Sequence, residues 1–388
     1  MTAKATAAIV GSGSTPYYFR GESAPQTIYE LIGKAVHAAA ADAGIGLNDI
    51  DGLVFFAFGF DTGLLIEQLG LKNVVFAHCV SGFGSGMAGM FDLAAMGVET
   101  GRAKNVVCIG ATQQVGRRVG QALGNFAATP DNVFHRIAGL GGPGQALALS
   151  ARRHMHRYGT RREAFAEVVM ASRAAAATRE TAFRRKPLSL DEYMAAPMLA
   201  DPLCKFDFCL ETDGALAFVV NAVDRAADRP HRPVWIKAVA QVADPAWGRA
   251  FFWLNQTDDA FVSAGAEAVA QRLYARAGLG PQDIDVALLY DHFSPLVIMQ
   301  LEDYGFCPRG EGGAFVESGA IRAGGTIPVN PHGGHLSEAY VVGVTHVREA
   351  VEQLRGTAVN QVAGATTALI TGGPAPVPMT GAILSSER

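Results

Sequence analysis

Short apolar runs alternate with longer amphipathic stretches along the whole chain, and glycines or polar turns separate them. The first half reads as strand 7–11, helix 26–42, strand 52–56, strand 74–77, helix 85–98 and strand 104–110. The second half reads as strand 234–242, helix 259–277, strand 285–290, helices 294–304 and 337–354, and strand 365–371. Continuous apolar runs of strand length are expected where both faces of a sheet are covered, and a 3.6-residue period marks a helix with one buried face. The alternation predicts two mixed α/β sheets with helices packed on their faces.

A duplication organises these elements. Residues 41–56 read ADAGIGLNDIDGLVFF and residues 275–290 read ARAGLGPQDIDVALLY, with Asp-Ile-Asp in the same frame. Each block reads as a helix end, a glycine stop, a polar turn and a buried strand. The chain is therefore expected to hold two pseudo-symmetric halves, 1–230 and 231–388. In each half a glycine-rich loop opens the later helix: SGFGSG at 81–86 and NPHGGHLS at 330–337. Helix N-termini carry unpaired N–H groups and the positive end of the dipole, so two packed halves could aim two such ends at one pocket. Residues 113–200 have no counterpart in the second half and form an insertion. It carries a basic cluster that includes Arg152, Arg161, Arg162, Arg184, Arg185 and Lys186. That cluster is either a solvated helix face or a surface for the phosphates of a nucleotide-bearing substrate.

Composition narrows the class. Of the 388 residues 49% are hydrophobic and 18% charged, which excludes a mainly disordered chain. A net charge of −4 gives no basic excess for nucleic acid. Five cysteines, an odd number in a long chain, fit a reduced cytoplasmic protein better than a disulfide framework. No signal peptide is expected, and the uncharged stretches 73–91 and 356–386 are too rich in glycine, proline and polar residues to be membrane spans.

Most candidate motifs are weak on inspection. Gly11-Ser12-Gly13 imitates a dinucleotide fingerprint, but Pro16 stands where a third glycine belongs. Cys79 lies about five residues before the place where a helix N-terminus would activate a thiol, so a structural cysteine is expected. Ser81 and Ser85 have no evident His–Asp partners, and Cys204 and Cys209 lack zinc spacing. His332 and His335 form His-x-x-His without a third ligand, so no metal is expected. Tyr290 ends a buried strand and Tyr340 sits near the next helix; singly each reads as packing, but both lie at ends of elements aimed at one place.

Four stretches then carry a resemblance: ADPLCKFDFCLETDGALAFVV at 200–220, YDHFSPLVIMQLEDYGFC at 290–307, IPVNPHGGHLSEAYVVG at 327–343 and ALITGGPAP at 368–376. Together they resemble the thiolase superfamily, in particular its lipid-transfer-protein-like branch. The resemblance implies a five-layered αβαβα fold, a homodimer, and a tunnel for a coenzyme A arm beneath the insertion. It also places the family's reacting residues on substituted positions. The nucleophilic cysteine falls on Gly84, the two histidines fall on Tyr290 and Tyr340, and the last cysteine falls within Thr371-Gly372-Gly373. No acyl-enzyme could form there.

The pattern Tyr-Asp-x-Phe, Gly-Gly-x-Leu-Ser-Glu-Ala-Tyr and Gly-Gly-Pro-Ala resembles a narrower group, the steroid side-chain-cleaving aldolases. That resemblance implies retro-aldol cleavage of a β-hydroxyacyl-CoA to a 17-ketosteroid and propionyl-CoA, with Tyr290 and Tyr340 as acid and base. No cofactor is implied beyond the coenzyme A of the substrate. Gly84 and Gly373 would leave room for an oxyanion hole, and Asp291, His292, His332 and His335 would line the pocket. A helix starting near Ser337 would make Tyr340 more acidic. The group also implies a small OB-fold protein as partner, linked to a hydratase. The aromatic stretch 247–253 reads either as a sterol pocket or as core. Two other readings remain at this stage: a thiolase that uses Cys79, and a non-catalytic lipid or acyl-CoA carrier.

Overall fold

The computed structural model describes residues 5–56, 61–80, 83–116, 118, 137–242, 260–373 and 379–388. The aromatic stretch 247–253 and Ser81 lie outside the described residues.

The strands are β1 (Ala7–Ser14), β2 (Tyr18–Phe19), β3 (Gly52–Phe56), β4 (Phe76–Val80), β5 (Val106–Thr112), β6 (Met198–Ala200), β7 (Leu203–Cys204), β8 (Thr212–Ala222), β9 (Val234–Val242), β10 (Val286–Leu288), β11 (Thr367–Thr371) and β12 (Met379–Ser385). One ten-stranded sheet runs β10-β11-β12-β9-β1-β8-β5-β3-β4, with β2 paired to β8. The separate sheets expected from sequence are thus joined. Their edge strands β1 and β9 pair antiparallel at Ala8–Trp235 and Ile9–Val234, which satisfies backbone groups that two free edges would expose.

The pairing repeats across this seam. β1–β8 and β9–β12 are antiparallel, β8–β5 and β12–β11 are antiparallel, and β5–β3 and β11–β10 are parallel. The Asp-Ile-Asp repeat does the same work twice. Asp49 and Asp283 accept from the backbone N–H of Gly46 and Gly280, closing the turn. Asp51 accepts from Lys104 and Asn105 N–H, and Asp285 from Thr366 and Thr367 N–H, which sets the start of the neighbouring strand.

The helices that matter here are α1 (Ile28–Asp42), α2 (Thr62–Gln68), α3 (Gly89–Glu99), α4 (Pro143–Tyr158), α5 (Arg162–Ala176), α6 (Leu190–Met194), α7 (Glu267–Ala277), α8 (Ser294–Asp303), α9 (Gly334–Ser337) and α10 (Val344–Arg355). They build layers around the strands. In β3, Leu53 and Phe55 face α1 while Val54 and Phe56 face a central layer formed by α3 and α10. The far side of the second half packs on α5, α7 and α8. Both faces of the strands are therefore covered, which explains their unbroken apolar runs. Gly11 and Gly13 belong to this packing. A Cβ at either would lie 2.3 Å from the backbone of Ala39, so these glycines let α1 lie against β1 and form no nucleotide loop.

Three features differ from the sequence expectation. β8 (Thr212–Ala222) and β12 (Met379–Ser385) are strands that the expected element list lacks. The helix expected at 337–354 is broken into α9 and α10, since Val342 (φ 40°) and Gly343 (φ 89°) adopt left-handed backbone between them. The helix expected at 259–277 begins in earnest only at Glu267. Among the described residues no helix is long and apolar enough to cross a membrane.

Candidate active site

Tyr290 follows β10, where the β10–β11 ladder has ended at Leu288–Ile370. Side chains replace the ladder there. The Tyr290 N–H donates to Thr371 Oγ1 (2.9 Å), Gln300 Nε2 of α8 donates to Tyr290 O (2.9 Å), and Thr371 Oγ1 donates to Gln300 Oε1. One step earlier, the Asn330 amide donates to Leu289 O and accepts from Leu289 N–H. Tyr340 lies in the break between α9 and α10. Its N–H donates to Thr212 Oγ1 (2.9 Å), and that hydroxyl donates back to Tyr340 O (2.7 Å). The two phenols meet: Tyr290 Oη donates to Tyr340 Oη at 2.9 Å, with the rings edge to face.

Glycines make room for this pair. A Cβ on Gly84 would sit 2.0 Å from Tyr290 Oη, one on Gly373 would sit 2.8 Å from its Cε1, and one on Gly343 would sit 2.8 Å from its Cε2. The tyrosine fits because three side chains are missing around it. The Gly373 N–H donates to Gly84 O (3.0 Å), so it is not presented to a thioester as the oxyanion reading of Gly373 required. What Gly373 supplies is space.

The electrostatics also depart from expectation. Tyr340 precedes α10 by four residues and is outside its first turn, so no helix dipole acidifies it. Burial pushes both phenols above their usual range, and in Tyr290 the neighbouring Tyr340 adds to the effect. In Tyr340 the hydrogen bond from Tyr290 works the other way and favours the phenolate.

Beneath the pair lies a closed polar cluster. Asp291 accepts from the N–H groups of His335 (2.8 Å) and Leu336 (3.2 Å) at the start of α9. A Cβ on Gly334 would sit 2.1 Å from its carboxylate, so this approach also needs glycine. His346 Nε2 lies 2.9 Å from Leu289 O and 3.3 Å from Asp291 Oδ1, both acceptors. The proton therefore belongs on Nε2, and Nδ1 accepts from His332 Nε2 at 3.0 Å. His335 stacks on His346 (centroids 4.1 Å, 7°) and meets both tyrosine rings edge to face. Burial pushes His332 and His335 well below the usual imidazole range. Asp291, His335 and His346 bring ligand-type atoms within 4.8 Å of one another, but the parallel stack does not aim the two imidazoles at a common point. His292 stays half-buried beside Tyr290 (5.0 Å, 79°).

The insertion holds the Tyr340 segment from above. Arg179, almost wholly buried, donates to Glu338, to Glu349 (2.8 Å) and to Glu352 (2.9 Å). Phe183 N–H and Arg184 N–H donate to the carbonyls of Glu338 and Ser337. Within the basic cluster, Arg152 pairs with Asp201 and Arg161 with Glu317, Arg162 lies over the Tyr193 ring, and Arg184, Arg185 and Lys186 are exposed.

Sequence reasoning singled out the tyrosines, Gly84, Gly373, Asp291, His292, His332 and His335, and the fold gathers them in one region. It missed Gly343, Thr212, Gln300, Glu338, His346, Arg179 and Cys209, whose neighbouring thiol adds to the upward push on both phenols. A signal for Glu338 and Gly343 was present, since both lie close to Tyr340 in the chain. Cys79 is on β4, at the outer edge of the sheet, and burial pushes its thiol upward.

The comparisons agree with this geometry. A family described as thiolase C-terminal domain-like matches residues 252–385. A steroid side-chain-cleaving aldolase from Thermomonospora curvata is 38% identical over 98% of this chain and 98% of its own. A 17-hydroxy-3-oxo-4-pregnene-20-carboxyl-CoA lyase from Mycobacterium tuberculosis is 38% identical over 97% of this chain and 98% of its own. A solved structure, "Ltp2-ChsH2(DUF35) aldolase", superposes with a TM-score of 0.90 at 36% identity, covering 99% of this chain and 98% of that one. With that likeness along almost its whole length, the chain belongs to the thiolase superfamily, in the branch that holds the steroid side-chain-cleaving aldolases.

Proposed function

We propose that this chain is a carbon–carbon lyase that cleaves a β-hydroxyacyl-CoA steroid side chain, a 17-hydroxy steroid-22-oyl thioester, into a 17-ketosteroid and propionyl-CoA. The observation that carries the reading is the phenol pair at 2.9 Å, packed into the space where Gly84 has no side chain. A retro-aldol step needs a base and an acid and no nucleophile. Tyr340, partly exposed and receiving the Tyr290 hydrogen bond, takes the proton of the β-hydroxyl as phenolate. The Cα–Cβ pair of electrons passes into the thioester as an enolate, and the β-carbon leaves as a ketone. The proton held by the phenol pair then returns to Cα. Burial works against the phenolate on both residues, and the hydrogen bond that Tyr340 receives from Tyr290 is what favours it there.

Coenzyme A is part of the substrate, and the exposed Arg184-Arg185-Lys186 run is the surface offered to its phosphates. The protein works in the cytoplasm as a homodimer with a small OB-fold partner linked to a hydratase; of these, only the presence of a partner is supported by the similarity to the "Ltp2-ChsH2(DUF35) aldolase" structure. The test is mass spectrometry of the products from a 17-hydroxy steroid-22-oyl-CoA. A ketosteroid with propionyl-CoA is the expected result. Thiolysis of acetoacetyl-CoA, or tight acyl-CoA binding without turnover in the presence of partners, would overturn the reading.

A further inference from the structure

The proposed cleavage gathers negative charge on the thioester oxygen, and catalysis needs a donor aimed at that oxygen. The Gly373 N–H is engaged by Gly84 O. Among the described polar side chains around the phenol pair, Asp291, His332, His335 and His346 are closed off from solvent. Tyr340, Cys209 and His292 keep exposed surface and can touch an entering ligand. Tyr340 is occupied with proton transfer, and a thiol is a weak donor.

We infer that His292 is a catalytic residue that donates its Nε2–H to the thioester oxygen as the enolate forms, an inference that rests on the aldolase reading above. Its ring stands edge to face on both Tyr290 (5.0 Å) and Phe293 (4.9 Å), which fixes its direction. Its backbone is pinned as well: Cys209 N–H donates to His292 O at 3.0 Å, and Phe293 bridges to Phe208. Nδ1 is buried without a partner while the residue as a whole is partly exposed, so Nε2 is the ring nitrogen left to meet a ligand, and the ring proton is best placed there. The surrounding protein pushes the imidazole down to about 3, so it enters the reaction neutral. A neutral donor stabilises the enolate without quenching it, because the proton stays on Nε2 throughout. The β-hydroxyl proton still goes to Tyr340 and returns to Cα, so the donor changes no atom count.

Two rates test this together: turnover of the steroid thioester, and exchange of the α-hydrogens of propionyl-CoA in deuterated water, which forms the same enolate without breaking a C–C bond. His292→Ala should lower both by about 10²–10³-fold with KM little changed. His292→Phe, which keeps the ring packing and lacks the donor, should match it and stands in if the alanine variant does not fold. His292→Gln, which restores an N–H, should recover part of both rates. Variants that turn over and exchange like the unaltered protein would overturn the inference while leaving the aldolase reading intact. So would a loss of turnover with exchange unchanged. An unaltered protein that neither cleaves nor exchanges would overturn the aldolase reading and this inference with it.

Discussion

Gly84→Ala is the sharpest test of how the site is built. The added Cβ would lie 2.0 Å from Tyr290 Oη and 2.3 Å from its Cζ, against an ordinary contact of 3.4 Å or more. The phenol must therefore retreat by about 1.4 Å, taking the difference of the two contact distances. Gly343 and Gly373 already close the other ring edges, so retreat means repacking. Overpacking of this kind costs ~1–3 kcal/mol, and the lost Tyr290–Tyr340 hydrogen bond adds ~1 kcal/mol. A displacement of that size costs on the order of 10²-fold in rate. Denaturant titration and steady-state turnover measure the two effects. Repeating the substitution in a Tyr290→Ala background isolates the cause: with the ring gone, the stability cost of Gly84→Ala should fall below ~1 kcal/mol. Full activity of Gly84→Ala, or an equal stability cost in both backgrounds, would refute the argument that Gly84 exists to admit Tyr290.

Tyr290→Phe and Tyr340→Phe should each lower kcat by roughly 10²–10⁴-fold with the fold retained, read by turnover and circular dichroism; an active double variant would exclude the phenols from the chemistry. Cys79→Ala should keep most activity, and an acyl group found on Cys79 during turnover would contradict the aldolase reading. Arg179→Met strands the buried carboxylates of Glu338 and Glu349 and should cost ~3–5 kcal/mol, with a loss of activity through the Tyr340 segment. Glu349 is pushed by burial from 4.5 up to about 7. Its folded value is the higher one, so the stability it contributes is full below pH 4.5 and is lost as the pH rises through 7; Glu349→Gln should flatten that slope by up to ~3 kcal/mol, and parallel pH–stability curves would contradict this.

Much of the architecture is local information. The strand and helix alternation follows from apolar runs whose faces are both covered, and the Asp-Ile-Asp repeat is legible because the same two carboxylates cap the same turn and strand start in each half. The substitution of tyrosine and glycine at the reacting positions could also be read from the chain, since a motif keeps its spacing. What sequence could not determine is anything that depends on where backbone groups end up. The helix expected through Tyr340 is broken at Val342–Gly343, and the Tyr340 N–H and O that a helix would have used are taken by Thr212, a residue 128 positions away. Gly373 was expected to leave room for an oxyanion hole, and its own amide is spent on Gly84 O. Asp291, His332, His335 and His346 converge only when α9 and α10 fold over the end of β10, so the two histidines of the His-x-x-His motif gave no sign of the third. Apolar periodicity and motif spacing are properties of neighbouring residues, so they survive in one dimension. Hydrogen-bond partners and burial, and hence the protonation of the phenols, are decided by contacts between distant segments, which only the tertiary structure supplies.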